Sequence, residues 1–349
     1  MPEPALSPAR DLRLDALRTL AFVLMVGCHV VRLGPRAAWP AWAAPVLDAE
    51  PLCQALFLGL VGASLPANRA ARPVGFGRRQ GRRALAFALV SAGIFLLQYG
   101  PQWPAGLRST GILATIAAGI GLVSPAVATG RPAVLGGLAL GLVGLAVGLD
   151  RAGAVWVPLN AGNGAVLPYA AAVALGAWAA TGPSVARALF GLAALAWAAQ
   201  VLLGGADPAG LWRAPLGRVE TAEALLGKAP LPAHLAAWAE GRSLASGVLR
   251  TYTWRPAILP SLGVAVLGLG AVASAARPVL SRAPSLLVLG RQGLFAYLLH
   301  LALLAVPVLV AGEARPLRHP RAIDAAALGI LVICGLAAAA WERRGRRPG

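Results

Sequence analysis

The chain has 349 residues, 58% of them hydrophobic and only 13% charged, with a mean hydropathy of +0.70. Soluble domains carry about 25% charged residues, so this composition excludes an ordinary soluble core and points to a polytopic membrane protein. A net charge of +18 and a pI near 11.6 would suggest nucleic acid in a soluble chain; here inner-side loops and anionic headgroups account for it, and no nucleic-acid partner is expected.

In chain order, apolar runs of spanning length fall at residues 12–33, 51–66, 84–99, 111–128, 132–149, 164–181, 185–203, 257–276, 285–311 and 321–341. They predict an all-α transmembrane bundle of about ten helices, ten or eleven at most. The second and third runs are short enough for a tilted or re-entrant helix. The run 285–311 begins polar and contains Pro307, so a kink or a split is expected there. Pro2, Pro4 and Pro8 precede a first run that continues for a full span without a small-residue cleavage site, so no signal peptide is expected.

Arginine placement orients the bundle. Arg69, Arg72, Arg78, Arg79, Arg82 and Arg83 follow the second run, and Arg343, Arg344, Arg346 and Arg347 follow the last. Placing both groups inside puts both termini in the cytoplasm. The whole chain, 1–349, then reads as one integral membrane domain with 204–256 as an extracytoplasmic loop or cap. That segment mixes Trp238, Trp254, Arg213, Arg242, Glu220 and Glu240, which suits an amphipathic cover or a connecting loop. Short helices are predicted at 220–226 and 234–249. Matching broken helices of the transporter kind are not seen.

The first run carries the most informative polar groups. Ionisable side chains inside a membrane are expensive and mark functional sites by default. Asp15 and Arg18 are one turn apart and close enough to pair. Arg18 and His29 are eleven residues apart, which returns to nearly the same helix face roughly 16 Å along the axis. The spacing predicts that both look into one polar cavity from different depths. Arg18 keeps its charge and needs a carboxylate, a phosphate or water. A neutral His29 can take a proton from a hydroxyl or amine and return it; packing against a neighbouring helix is the plain alternative.

Other polar groups are more ambiguous. Arg78, Arg79, Arg82 and Arg83 open the third helix, where guanidinium groups and a helix N-terminus suit phosphate oxygens, although a positive-inside anchor is the ordinary explanation. Tyr297 and His300 are one turn apart, placed to orient each other or a ligand. Asn160, Asn163 and Tyr169 bracket the sixth helix as grips or caps. Cys28, Cys53 and Cys334 lie in or beside apolar runs and read as small buried hydrophobes. No metal site is expected from the His and Cys spacings. A phosphate loop is excluded because the single lysine is Lys228, and acidic residues are too scarce for a paired-carboxylate mechanism.

Leu14-Asp15-Ala16-Leu17-Arg18 with His29 resembles the N-terminal signature of the transmembrane acyltransferase superfamily, including the arginine, ten residues, histidine spacing of the acyltransferase-3 family. Later landmarks are similar to bacterial relatives of the heparan-α-glucosaminide N-acetyltransferase catalytic domain. They are Leu56-Phe57-Leu58-Gly59-Leu60-Val61-Gly62-Ala63-Ser64-Leu65, Gly111-Ile112-Leu113, Leu167-Pro168-Tyr169 with Leu175-Gly176, and Leu289-Gly290-Arg291 through Tyr297-Leu298-Leu299-His300. Thr19 stands where relatives carry glycine.

The resemblance implies an enzyme of the bacterial cytoplasmic membrane that moves an acyl group, acetyl above all, from cytoplasmic acyl-CoA to a carbohydrate or glycolipid acceptor. His29 would act as general base or transient acyl carrier, with Asp15 and Arg18 at the inner end of the cavity. Arg78, Arg79, Arg82 and Arg83 would contact CoA phosphates. Ser64, Tyr297 and His300 would line the cavity, with membrane lipids around the bundle and a homodimer as an open assembly state. The rival from another class is a transporter or flippase-like carrier using Arg18 and His29 as an ion or proton relay; a catalytically silent membrane protein is the third.

Overall fold

The computed structural model describes residues 11–99, 111–152, 159, 166–202, 216–218, 252–254, 259–282, 284–311 and 316–345. Helices dominate: α1 (Leu12–Val31), α2 (Ala43–Asp48), α3 (Glu50–Ala71), α4 (Phe76–Tyr99), α5 (Gly111–Thr129), α6 (Pro132–Arg151), α7 (Val166–Ala179) and α8 (Pro183–Leu202). After them come α9 (Leu259–Ala275), α10 (Arg277–Arg282), α11 (Val288–Arg291), α12 (Gly293–Ala311) and α13 (Pro320–Gly345). The one strand pairing among the described residues is a three-residue antiparallel ladder, β1 (Leu216–Arg218) with β2 (Tyr252–Trp254), in which Gly217 faces Thr253.

The described parts of the expected apolar runs are largely helical, with the run 285–311 divided between α11 and α12. Four of the helices, α1, α5, α6 and α13, are long and apolar enough to cross a membrane by length and composition. Helices α3 and α4 run to 22 and 24 residues, longer than their apolar cores, because polar helix-forming residues such as Arg69 and the arginines of 78–83 continue them. The expected break in 285–311 falls at Gln292, between α11 and α12, while Pro307 stays inside α12. Apart from the strand pair, the proposed cap 204–256 with its helices at 220–226 and 234–249 lies outside the described residues, as do Asn160 and Asn163.

The chain divides into two compact units, Leu58–Ala265 and the pairing of Met1–Phe57 with Val266–Gly349. The first of these is organised around α7, which buries Leu167, Tyr169, Ala171, Val173, Ala174 and Ala177. A helix apolar on every side belongs in the middle of a bundle. Close approach there depends on missing side chains. A Cβ on Gly176 would overlap the carbonyl of Gly59, and one on Gly62 would overlap the carbonyl of Val173. Small residues let backbones meet in this way where dispersion must hold helices together. Outward, Leu85, Leu89, Leu140, Leu145, Leu192 and Leu195 are exposed, an apolar surface compatible with a membrane protein.

The second unit packs α1 against α11, α12 and α13. Asp11 caps α1 by accepting from the Arg13 backbone N–H at 3.0 Å. The core gathers Phe22, Val26, Val30 and Val31 of α1, Ala296 and Leu304 of α12, and Ile323, Ile330 and Cys334 of α13. Two contacts set the direction of the helices. Thr19 Oγ1 accepts from the Gly290 N–H at 3.0 Å, and His29 meets His300 ten residues further along both. The contacts come in the same order on both, so α1 and α11–α12 run parallel. Helix α13 runs the other way: Asp324 near its start accepts from Trp42, beyond the end of α1, whereas Glu342 near its end holds Arg291.

Candidate functional site

The polar side chains of this unit form layers along α1. The lowest is Asp15, fully buried, which accepts from Arg18 Nη1 at 3.0 Å. An i,i+3 spacing on a helix makes this pair local and expected. Thr19 donates to the Asp15 carbonyl at 3.0 Å while accepting from Gly290. A Cβ at Gly290 would overlap that same Asp15 carbonyl, so glycine brings α11 onto α1 and the Thr19 hydroxyl ties the two. At the same level Arg291 directs Nε and Nη2 to Glu342 Oε2 at 3.1 and 2.8 Å.

The next layer is apolar. Phe22 shares the face of Asp15, Arg18 and His29, since four, seven and eleven residues all return close to one direction. It is 1% exposed and meets the His300 ring edge-on at 5.6 Å. The expected single polar cavity from Arg18 to His29 is therefore interrupted on this face by a phenyl ring.

Above it sits a histidine pair. His29 Nδ1 lies 3.1 Å from His300 Nε2, with the two rings nearly parallel. His300 is fully buried, and its Nδ1 faces the backbone carbonyl of Tyr297, three residues earlier in the same helix. Both nitrogens of His300 are thus engaged. His29 is partly exposed, and its Nε2 takes no partner among the described residues. The Tyr297 hydroxyl likewise takes none among them. Past the C-terminal end of α1, Arg32 pairs with Glu50 at 2.5 Å and Trp42 Nε1 donates to Asp324 at 2.7 Å.

Of the residues singled out in the sequence, Asp15, Arg18, His29, Tyr297 and His300 all belong to this unit, and the structure brings His29, Tyr297 and His300 together. Ser64, Arg78, Arg79, Arg82 and Arg83 belong to the other unit. Ser64 donates to the Val61 carbonyl of its own helix at 2.7 Å. Arg79 is spent on its own turn: it donates to the carbonyls of Val74, at 2.5 Å, and Arg72, around a left-handed Gly75 with φ of 69°. Arg78 and Arg82 are exposed, and Arg83 lies over the Phe87 ring.

Sequence reasoning missed Arg32, Glu50, Asp324 and Glu342. Glu342 sits beside Arg343 and Arg344 and reads locally as part of a terminal anchor; an acidic residue at the end of a spanning run was the available signal. The three cysteines are free and buried, as expected, with Cys28 and Cys53 facing the carbonyls of Val46 and Ala21. Among the described residues no cluster of His, Cys, Asp and Glu can hold a metal ion. No family model matches the chain, and no curated protein or solved structure matches it either.

Proposed function

We propose that the protein is a membrane-embedded acyltransferase that moves an acyl group, acetyl above all, from cytoplasmic acyl-CoA to a carbohydrate or glycolipid acceptor. The observation that carries this reading is the partly exposed His29, its Nδ1 tied to His300 and its Nε2 without a partner among the described residues. An imidazole with one nitrogen anchored and the other free is the arrangement a general base needs. The acceptor hydroxyl or amine gives its proton to Nε2 as its oxygen or nitrogen attacks the thioester carbonyl. The acyl–sulfur bond breaks, the new ester or amide bond forms, and the proton passes from Nε2 to the departing thiolate. Free CoA and neutral His29 remain. Arg18, held by Asp15, supplies positive charge toward the donor.

In this reading ten spans place both termini in the cytoplasm of a bacterial inner membrane, with His29 about 25 Å along α1 in the outer half. Ten spans require the first and ninth to run parallel and the tenth antiparallel, as α1, α11–α12 and α13 do. Arg78, Arg82 and Arg83 are the arginines assigned to CoA phosphates, Arg79 being used by its turn. The hydrogen-bond line through His300 ends on a backbone carbonyl, which accepts a proton bond but passes none on. That weighs against an ion or proton relay.

Purified protein in lipid nanodiscs with radiolabelled acetyl-CoA tests the reading. Acetyl-CoA binds, label transfers to an acceptor from a glycolipid extract, and His29→Ala lowers transfer by about 10²–10⁴-fold while leaving donor binding intact. Absence of acetyl-CoA binding by the wild-type protein, or undiminished transfer by His29→Ala, refutes it.

A further inference from the structure

The geometry points to His300 as a positioning residue: we propose that it fixes the proton of His29 on Nδ1 and thereby leaves the lone pair on His29 Nε2, the nitrogen turned away from His300. A carbonyl only accepts, so His300 Nδ1, facing the Tyr297 carbonyl, carries the hydrogen. In a neutral ring the other nitrogen then carries a lone pair. His300 Nε2 is therefore an acceptor, and His29 Nδ1, 3.1 Å away, donates to it. That leaves His29 Nε2 unprotonated, and this is the atom with no partner among the described residues.

The surroundings keep His300 neutral. Its ring packs against Phe22 edge-on, Tyr297 and the parallel His29 ring, inside a core of Phe22, Met25, Val26 and Ala296. No carboxylate pairs with either imidazole among the described residues; Glu50, the acidic group toward the outer end, is held by Arg32. A charged imidazolium without such a partner is expensive in an apolar core. Helix α12 supplies the anchor without outside help, because the carbonyl three residues back lies under the side chain of the following turn. The hydrogen bond made by one nitrogen of a catalytic imidazole sets whether the other can act as the base, and a wrong tautomer disables a base whose position is unchanged.

The tautomer follows from geometry, while its catalytic consequence rests on the acyltransferase reading; the experiment separates the two. The chain contains four histidines, so ¹⁵N-histidine-labelled protein in nanodiscs gives a spectrum assignable by single substitutions of His234 and His319. At pH 8 the His29 signals show Nδ1 protonated and Nε2 bare. His300→Ala removes the acceptor and returns His29 to the Nε2–H form that free side chains favour, whereas His300→Gln, whose amide oxygen accepts, keeps Nδ1–H. In the transfer assay His300→Ala lowers kcat about 10²-fold with KM unchanged, and His300→Gln recovers part of it. A wild-type His29 protonated on Nε2 overturns the proposal, as does a tautomer unchanged in His300→Ala. If His300→Ala does not fold, the wild-type spectrum alone decides. If no transfer is detected with any donor, the acyltransferase reading fails while the tautomer result stands.

Discussion

Replacing Arg291 by leucine removes the long-range ion pair that ties α11 to the end of α13. Arg291 and Glu342 are each 13% exposed in their side chains, and one carboxylate oxygen takes both guanidinium bonds at 3.1 and 2.8 Å. At 2.8 Å and an effective dielectric of 20 the Coulomb attraction is about 6 kcal/mol, most of it offset by the desolvation of both groups. Removing one partner leaves the other charge buried, which costs about 3–5 kcal/mol, whereas removing both costs far less. Arg291→Leu is therefore expected to be strongly destabilising, and Arg291→Leu with Glu342→Leu nearly neutral. Phe295 of α12, stacked on Trp341 at 5.2 Å, holds the neighbouring helix against α13, so the double variant keeps its packing. The assay is thermal unfolding in detergent read by a thiol-reactive fluorophore, since Cys28, Cys53 and Cys334 are free, buried and all in this unit. At about 3 °C per kcal/mol for a unit of this size, the single variant melts about 10 °C lower. Equal melting of wild type and Arg291→Leu, or additive losses in the double variant, would refute the reasoning.

Gly176→Leu and Gly62→Leu should each abolish recovery of folded protein, because the added Cβ alone collides with the carbonyls of Gly59 and Val173; Gly148→Ala, which faces open space, should express like wild type, and normal yield of either leucine variant would discount the glycine crossing. The Asp11 carboxyl is held below the usual carboxylate range, first by the side-chain hydrogen bond from Arg13 and then by its backbone bond and charge. A lowered folded value adds stability above the unfolded pKa of about 3.9 and loses it as pH falls through the folded value. With Asp11 34% exposed, solvent screening limits this to below about 1 kcal/mol. Between pH 6 and pH 3 wild type should lose slightly more melting temperature than Asp11→Asn, and identical acid slopes would show that the pair contributes nothing.

The chain order of apolar runs was enough to locate the long helices, because a membrane-spanning helix needs one continuous apolar stretch of a set length; the short α2 and α10 fall outside those runs. The Asp15–Arg18 pair was equally legible, since three residues of helix place the two groups on one face whatever surrounds them. So was the tie between Tyr297 and His300, although it runs through the Tyr297 carbonyl rather than the hydroxyl. Periodicity says which face of a helix is polar; it is silent on which other face will meet it. Only the fold paired His29 with His300 and Arg291 with Glu342, partners separated by 271 and 51 residues. It also placed Phe22 between the two polar layers, where spacing alone suggested a continuous cavity. Those pairings follow from close approaches that a residue list does not display, such as Gly290 on the Asp15 carbonyl. The missing side chain lets α11 touch α1, and that contact sets the register in which the two histidines meet.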